Sequence, residues 1–536
     1  MSLDELKYVS ILAGSIPLGI CMKQTGKLAR EVGASVIGFT IVAATCGFHT
    51  FHSMLCILVT WAIIRFCTRH CYNLTLAWMF SYLLFFRMLG YLHLPSPTPF
   101  ANAVQLLLTL KMVSLAAELN PVYLEALSRA KPGPTDRHPL ARVMPGLREI
   151  LCYSYCYLGI MTGPFYRYRT YQDWVQHSQL PQVPSWKPLL HRLRLVPFYG
   201  AAFLLVSRLC PLEFVRTADF AQCGFLYCLL YTAAIFFVFR MRFYVAWTFA
   251  ESACIAAGFG AYPVTAQSRP GNGPTNTTYK SSEWHEYDYE TIRNIDPYNT
   301  DFCSSVKDGM KYWNMTVQWW LASYIYRHAP MKPRLLRVGW TMLVSAFWHG
   351  LHPGYYLSFL TIPVCLAAEG VMETGVRQRL GPRPRLAYDW LHWFWKMRAY
   401  DYMCAGFVLL TLPDTLAHWR RLYFYMHLLS LALFILGYLA SPQGRRPRSG
   451  PDRRPPRPPS APPLPFTPPP APSQSHPPPS PTSRQPPPPS PSSRTKGSEQ
   501  EEHSRGSGIR RRSSRGDRSP SPGPTRPRSR SRSKEK

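Results

Sequence analysis

The stretch that decides the fold is KYWNMTVQWW, residues 311–320. It lies in an apolar neighbourhood and carries three tryptophans, yet it also holds a lysine, an asparagine and a glutamine. Read as a helix, it places Lys311, Asn314 and Gln318 within about 60° of one another on the wheel. Strongly polar groups at membrane depth are costly, so such a stripe faces a partner or a cavity.

The next apolar segment, WTMLVSAFWHGLHPGYYLSF (340–359), behaves alike. Thr341, Ser345, His349 and His352 fall within about 80° on its wheel. Gly350 permits close backbone approach, and Pro353 ends or kinks the helix. Two neighbouring polar-striped helices can line a water-accessible cavity, and one of them carries an imidazole, a group that can titrate near neutral pH.

The surrounding chain has 536 residues, a net charge of +31, 53 prolines and 14 cysteines. It divides into two unlike parts. Residues 1–440 are a succession of long apolar runs, whereas 441–536 hold 27 of the prolines, 21 of the 60 basic residues and six of the 29 acidic ones. The first part still carries +16 without the tail. That balance suits anionic partners such as lipid headgroups or phosphates.

A bilayer-spanning helix needs about 20 mainly apolar residues. Runs of this kind recur from 7–22 to 422–440, which predicts an all-α polytopic membrane protein with about 10–12 transmembrane helices. The N-terminal run has no basic n-region and reads as a retained membrane segment. Polar loops are expected at 118–149 and 263–311. The cysteines show neither CxxC pairs nor Cys/His ligand spacing, and several read as small hydrophobes.

The tail cannot bury a core and is expected to be disordered. Its proline-rich part favours extended polyproline conformations. Its Arg/Ser-rich end is similar to segments that bind nucleic acid or protein. The plainer reading is a solvated cationic tail touching anionic membrane or other proteins, and no specific nucleic acid is expected.

The two stripes suit a definite chemistry. A neutral His349 can take a proton from a hydroxyl and return it to a leaving group. Asn314 does not titrate, but its amide can donate to a developing oxyanion or hold a substrate. Together they fit acyl transfer to an alcohol, and no GxSxG elbow offers a serine nucleophile. On spacing alone, a lone intramembrane histidine such as His349 is more often a hydrogen-bonded packing residue. His349 and His352 could be two metal ligands, but no third is evident nearby. Arg87 and Glu251, in otherwise apolar runs, read as paired structural charges.

The asparagine of YWNMTVQWW and the histidine of SAFWHGLHPGYY, 35 residues apart, resemble the signature of the membrane-bound O-acyltransferases. The block SYCYLGIMTGPFYRYRTYQDW (154–174) resembles a further segment of that family. Stretches such as EYDYETIRNID (286–296) and KMRAYDYMC (396–404) are similar to its lysophospholipid-acylating branch. The resemblance covers roughly residues 1–440 and stops at the tail. It implies helices around an internal tunnel in the endoplasmic reticulum membrane, with His349 and Asn314 as catalytic residues. It also implies acyl-CoA as co-substrate with no bound metal or permanent cofactor. The implied acceptor is lysophosphatidylinositol at its sn-2 hydroxyl, and the implied donor chain is polyunsaturated, of arachidonoyl type.

Both substrates carry phosphate, so fixed cations are expected at the site. Arg167 and Arg169 in FYRYRTY are the first candidates, then Arg240 and Arg242 in FRMRFY, then Lys396 and Arg398 in WKMRAY. Gln318 and His352 are further candidates for substrate contact. Each cation could instead be an interfacial side chain that snorkels. Two competing functions stay open at this point: a protein or peptide O-acyltransferase of the same fold, and a polytopic transporter. No inverted repeat supports the latter.

Overall fold

The computed structural model describes residues 3–129, 144–276 and 286–441. The tail from 442 onward, expected to be disordered, lies outside the described residues.

The described chain is mostly helical, with one antiparallel strand pair, Tyr262–Pro263 with Tyr287–Asp288. Seven helical stretches are long and apolar enough to cross a bilayer: Leu3–Lys23, Ala29–Phe66, Thr68–Leu92, Pro99–Glu125, Trp186–Arg216, Phe225–Ala256 and Pro353–Arg379. An eighth counts if Leu412–Arg421 and Tyr425–Ala440, bent by 64°, form one span. The Pro99–Glu125 stretch is central, with 78% of its apolar window buried, whereas Trp186–Arg216 is peripheral at 6%.

The remaining apolar runs among the expected 10–12 spans are short or broken. The run at 150–165 becomes the helix Leu147–Tyr155 followed by irregular, largely buried chain. Irregular backbone at membrane depth is tolerated where protein surrounds it and satisfies its polar groups. Here Lys111, 1% exposed, donates to the Tyr153 carbonyl at 3.2 Å and to the Tyr166 hydroxyl at 2.9 Å. The Tyr153 hydroxyl donates to the Tyr166 carbonyl at 2.9 Å. This buried cation thus knits the GPFYR block to the central helix.

Arg87 and Glu251 do not pair with each other. Glu251 faces Arg192 at 2.8 Å, whereas Arg87 donates to main-chain carbonyls.

The helices Pro353–Gly375 and Pro382–Leu409 approach closely at Gly354 and Gly406. A side chain on Gly354 would collide with the Gly406 carbonyl, and the Gly354 amide donates to the Leu410 carbonyl at 2.8 Å. Small residues let membrane helices pack backbone to backbone. That approach brings Phe407 against the end of the Arg334–His349 helix, whose His349 ring lies 4.9 Å away.

Candidate active site

The stretch 311–320 is not one continuous helix. The helix Val306–Tyr312 ends, Trp313 is extended, and Asn314 adopts a left-handed conformation (φ 48°, ψ 50°) before the helix Met315–Trp320. A π-type turn, Leu321–Tyr326, follows. The wheel that grouped Lys311 with Asn314 therefore does not apply. Lys311 pairs with Asp308 at 2.6 Å and does not line the cavity described below. Asparagine is one of the few residues that enter the left-handed region readily, which explains its use at this break.

A neighbouring segment satisfies the main-chain groups that the break frees. Asp296 donates its amide to the Tyr312 carbonyl at 3.0 Å, and Met315 donates to the Asn294 carbonyl at 2.8 Å. The Asn294 side-chain oxygen accepts the Thr316 hydroxyl at 2.6 Å and the Thr316 amide at 3.3 Å. The amides of Asn294 and Ile295 donate to fully buried Glu251 at 2.7 and 2.9 Å. Asn294 and Thr316 carry no signal in hydrophobic periodicity. Only their place inside the two quoted motifs could have marked them.

On the other wall, His349 is the last residue of the helix Arg334–His349, and Gly350 follows in extended conformation (φ 169°, ψ 179°). The imidazole stacks on Phe359 at 5.2 Å and meets Phe407 edge-on at 4.9 Å. The extended Gly350 takes His352 off the helical face that the wheel assigned to it. His352 is exposed, packs near Tyr355 at 5.9 Å and does not line the cavity. Thr341 is buried elsewhere, donating to the Arg337 carbonyl at 2.7 Å.

Asn314, Gln318, Ser345 and His349 do meet. They line one cavity of about 180 Å³, otherwise walled by Phe239, Phe243, Trp247, Trp313, Phe359, Phe407 and other apolar side chains. Ser358 also lines it, but its hydroxyl is committed to the Met403 carbonyl at 2.6 Å. Gln318 Oε1 and Thr300 Oγ1 are buried without a protein hydrogen-bond partner. An apolar chamber with a few convergent polar groups is the usual form of a site for an apolar substrate with one reactive centre.

None of the six candidate cations lines this cavity. Arg167 pairs with Glu118 at 3.4 Å and lies over Trp319, and Arg169 faces Asp173 at 3.9 Å. Arg240 is buried against Asp301, which also accepts the Tyr244 hydroxyl at 2.8 Å. Arg242, largely exposed, faces Glu5 at 3.6 Å. Lys396, fully buried, donates to the Thr300 and Asp301 carbonyls, both at 2.9 Å. Arg398 donates to Asp401 at 2.6 Å. Buried cations at membrane depth are held by internal partners, and here those partners are protein groups. Their effect on the site is indirect: Arg240 and Lys396 fix the turn that presents Thr300.

Among the described residues, no cluster of three or more His, Cys, Asp or Glu side chains could hold a metal ion.

A profile of the membrane-bound O-acyltransferase family matches residues 46–410, a range that contains every described residue lining the cavity. The chain is 55% identical over 463 residues to the membrane-bound acylglycerophosphatidylinositol O-acyltransferase of Homo sapiens, covering 84% of this chain and 98% of that protein. It is 53% identical over 462 residues to the protein of the same name from Xenopus laevis, covering 84% and 97%. It is 30% identical over 463 residues to the one from Drosophila melanogaster, covering 83% and 94%. With Asn314 and His349 lining one apolar chamber and this breadth of similarity, the chain belongs to the membrane-bound O-acyltransferase family.

Proposed function

We propose that this protein transfers a fatty acyl group from acyl-CoA to the free sn-2 hydroxyl of lysophosphatidylinositol, giving phosphatidylinositol in the endoplasmic reticulum membrane. The donor chain is polyunsaturated, of arachidonoyl type. The observation that carries the reaction type is the shared cavity: an imidazole and a carboxamide converge in an apolar chamber. The names of the relatives support the acceptor.

His349 accepts the proton of the glycerol hydroxyl as its oxygen attacks the thioester carbonyl carbon. The Asn314 amide donates to the oxygen that becomes negative. The tetrahedral adduct collapses, the carbon–sulfur bond breaks, and the imidazolium returns its proton to the departing thiolate. The products are an ester and free coenzyme A. A positioned base contributes about 10²–10⁴-fold. An oxyanion donor contributes about 10²–10³-fold in a dry site. The apolar walls hold acyl chain and acceptor together, replacing a bimolecular encounter with a bound one. Gln318 accepts from a substrate hydroxyl, a role supported by its unpaired buried oxygen in the cavity lining.

The test is acyl transfer in microsomes with a panel of lysolipids and acyl-CoAs, comparing wild type, His349→Ala and Asn314→Ala. Both variants are expected to lose transfer while accumulating normally. A fully active His349→Ala would falsify the assignment of the base. Transfer to protein with no lysolipid product would move the acceptor to the competing peptide class.

A further inference from the structure

His349 makes no side-chain hydrogen bond among the described residues, unlike catalytic histidines whose second nitrogen is anchored by a carboxylate or carbonyl. Its orientation therefore depends on the rings around it and on the backbone that carries it. That backbone is the last turn of a helix, where the final carbonyls lack helical donors and the end tends to fray. Buried carbonyls of this kind need a donor from the protein.

Arg87 supplies the missing donors. It lies in the last turn of the helix Cys71–Met88 and is half-buried. One terminal nitrogen donates to the Phe347 carbonyl and the other to the Trp348 carbonyl, the two residues directly before His349. No carboxylate among the described residues pairs with it. The Trp348 ring is tied independently, donating to the Leu106 carbonyl at 3.2 Å. A cation at a helix C-terminus also opposes the partial negative charge that collects there.

We propose that Arg87 is a positioning residue for His349. Its planar fork spans two successive carbonyls, locks the last turn, and so fixes the direction in which the imidazole enters the cavity. The inference rests on the reading of His349 as the base. Arg87 itself does not line the cavity and does not touch the reacting atoms.

The experiment is steady-state transfer by Arg87→Met, Arg87→Gln and Arg87→Lys in the full-length chain. Rates are taken per folded molecule, with folding followed by thermal unfolding in detergent. A misplacement of the base on the scale of an ångström lowers kcat by about 10- to 100-fold, and that is the loss expected of Arg87→Met. KM for acyl-CoA and lysolipid should hold. Arg87→Lys should recover part of the rate, because it restores the charge and the donors without the two-pronged geometry. A purely structural arginine would lower the folded fraction and leave kcat per folded molecule unchanged, and that result overturns the proposal. If Arg87→Met does not accumulate, Arg87→Gln decides in the same way: reduced kcat at constant KM supports positioning, and wild-type kcat overturns it. A fully active His349→Ala removes the base and this inference together. An inactive His349→Ala beside a folded, fully active Arg87→Met removes only the inference.

Discussion

The Thr316 hydroxyl donates to the Asn294 side-chain oxygen at 2.6 Å and accepts the Phe165 amide at 3.0 Å. One hydroxyl therefore joins the GPFYR block, the polar 286–296 segment and the break at Asn314. Thr316→Val leaves the buried Phe165 amide without its acceptor, at about 1–3 kcal/mol, and the Asn294 side-chain oxygen with only the main-chain amide of residue 316. Lower thermal stability and a reduced kcat are expected of Thr316→Val, whereas Thr316→Ser should resemble wild type in both. Equal stability and activity in the valine and serine variants would show that the junction does not hold Asn314.

Backbone and amide can be separated at Asn314. An alanine held in the left-handed region costs about 1–2 kcal/mol, and glycine avoids that cost. Asn314→Gly should therefore unfold at a higher temperature than Asn314→Ala, yet both should lose transfer, because neither can donate to the oxyanion. Recovery of activity in Asn314→Gly would make the residue a conformational device without a chemical role.

The sequence displayed Asn314 and His349 more clearly than their surroundings. Asn314 and His349 stood out as polar residues in apolar runs, which is a consequence of the cost of burying them. The helix wheel placed Ser345 with His349 correctly but not Thr341, which is buried away from the cavity on the same continuous helix. It failed at Lys311 and His352, because backbone breaks at Asn314 and Gly350 lie between those residues and their supposed partners. The six arginine and lysine candidates were charged residues in apolar runs with no way to read their partners. Asp301, which holds Arg240, comes from a segment 61 residues away. Asn294 was hidden for the same reason: its role is set by hydrogen bonds across 22 residues to Thr316.

Arg240 and Asp301 offer a direct test of structural against substrate-binding cations. Removing one member of a buried pair strands the other, at about 3 kcal/mol. Arg240→Met should lower the unfolding temperature while KM for acyl-CoA and lysolipid stays at the wild-type value per folded molecule. Undiminished stability with a raised KM for either substrate would return Arg240 to the binding site.

Asp288, in the polar segment outside the membrane helices, is pushed up to about 6 by burial, with a smaller upward contribution from Glu290 and an opposing hydrogen bond from the Glu290 amide. Its folded form holds a proton that the unfolded chain gives up at lower pH. Stability contributed by the protonated carboxyl is present below the ordinary aspartate range and is lost as pH rises through about 6. Asp288→Asn keeps an acceptor for the Glu290 amide without the charge. It should melt higher than wild type at pH 7.5, with the advantage vanishing near pH 4. Parallel melting curves across that range would mean that the carboxyl is solvated in the folded protein.

Every described residue lining the cavity falls between Phe236 and Phe407, and the family match ends at residue 410. The last described helix, Tyr425–Ala440, packs against Pro353–Gly375, where a side chain on Gly375 would strike the Gly437 carbonyl. That helix is therefore part of the scaffold behind Phe359, and every described residue lining the chamber precedes it. Function resides in the site and its supports, so a chain ended after Ala440 should keep wild-type kcat and KM. A chain ended after Leu422, which removes the helix, should lose both stability and transfer. If the Ala440 truncation were folded but inactive, the basic tail would have to act on substrate delivery, and its attraction to anionic lipid would be the property to measure next.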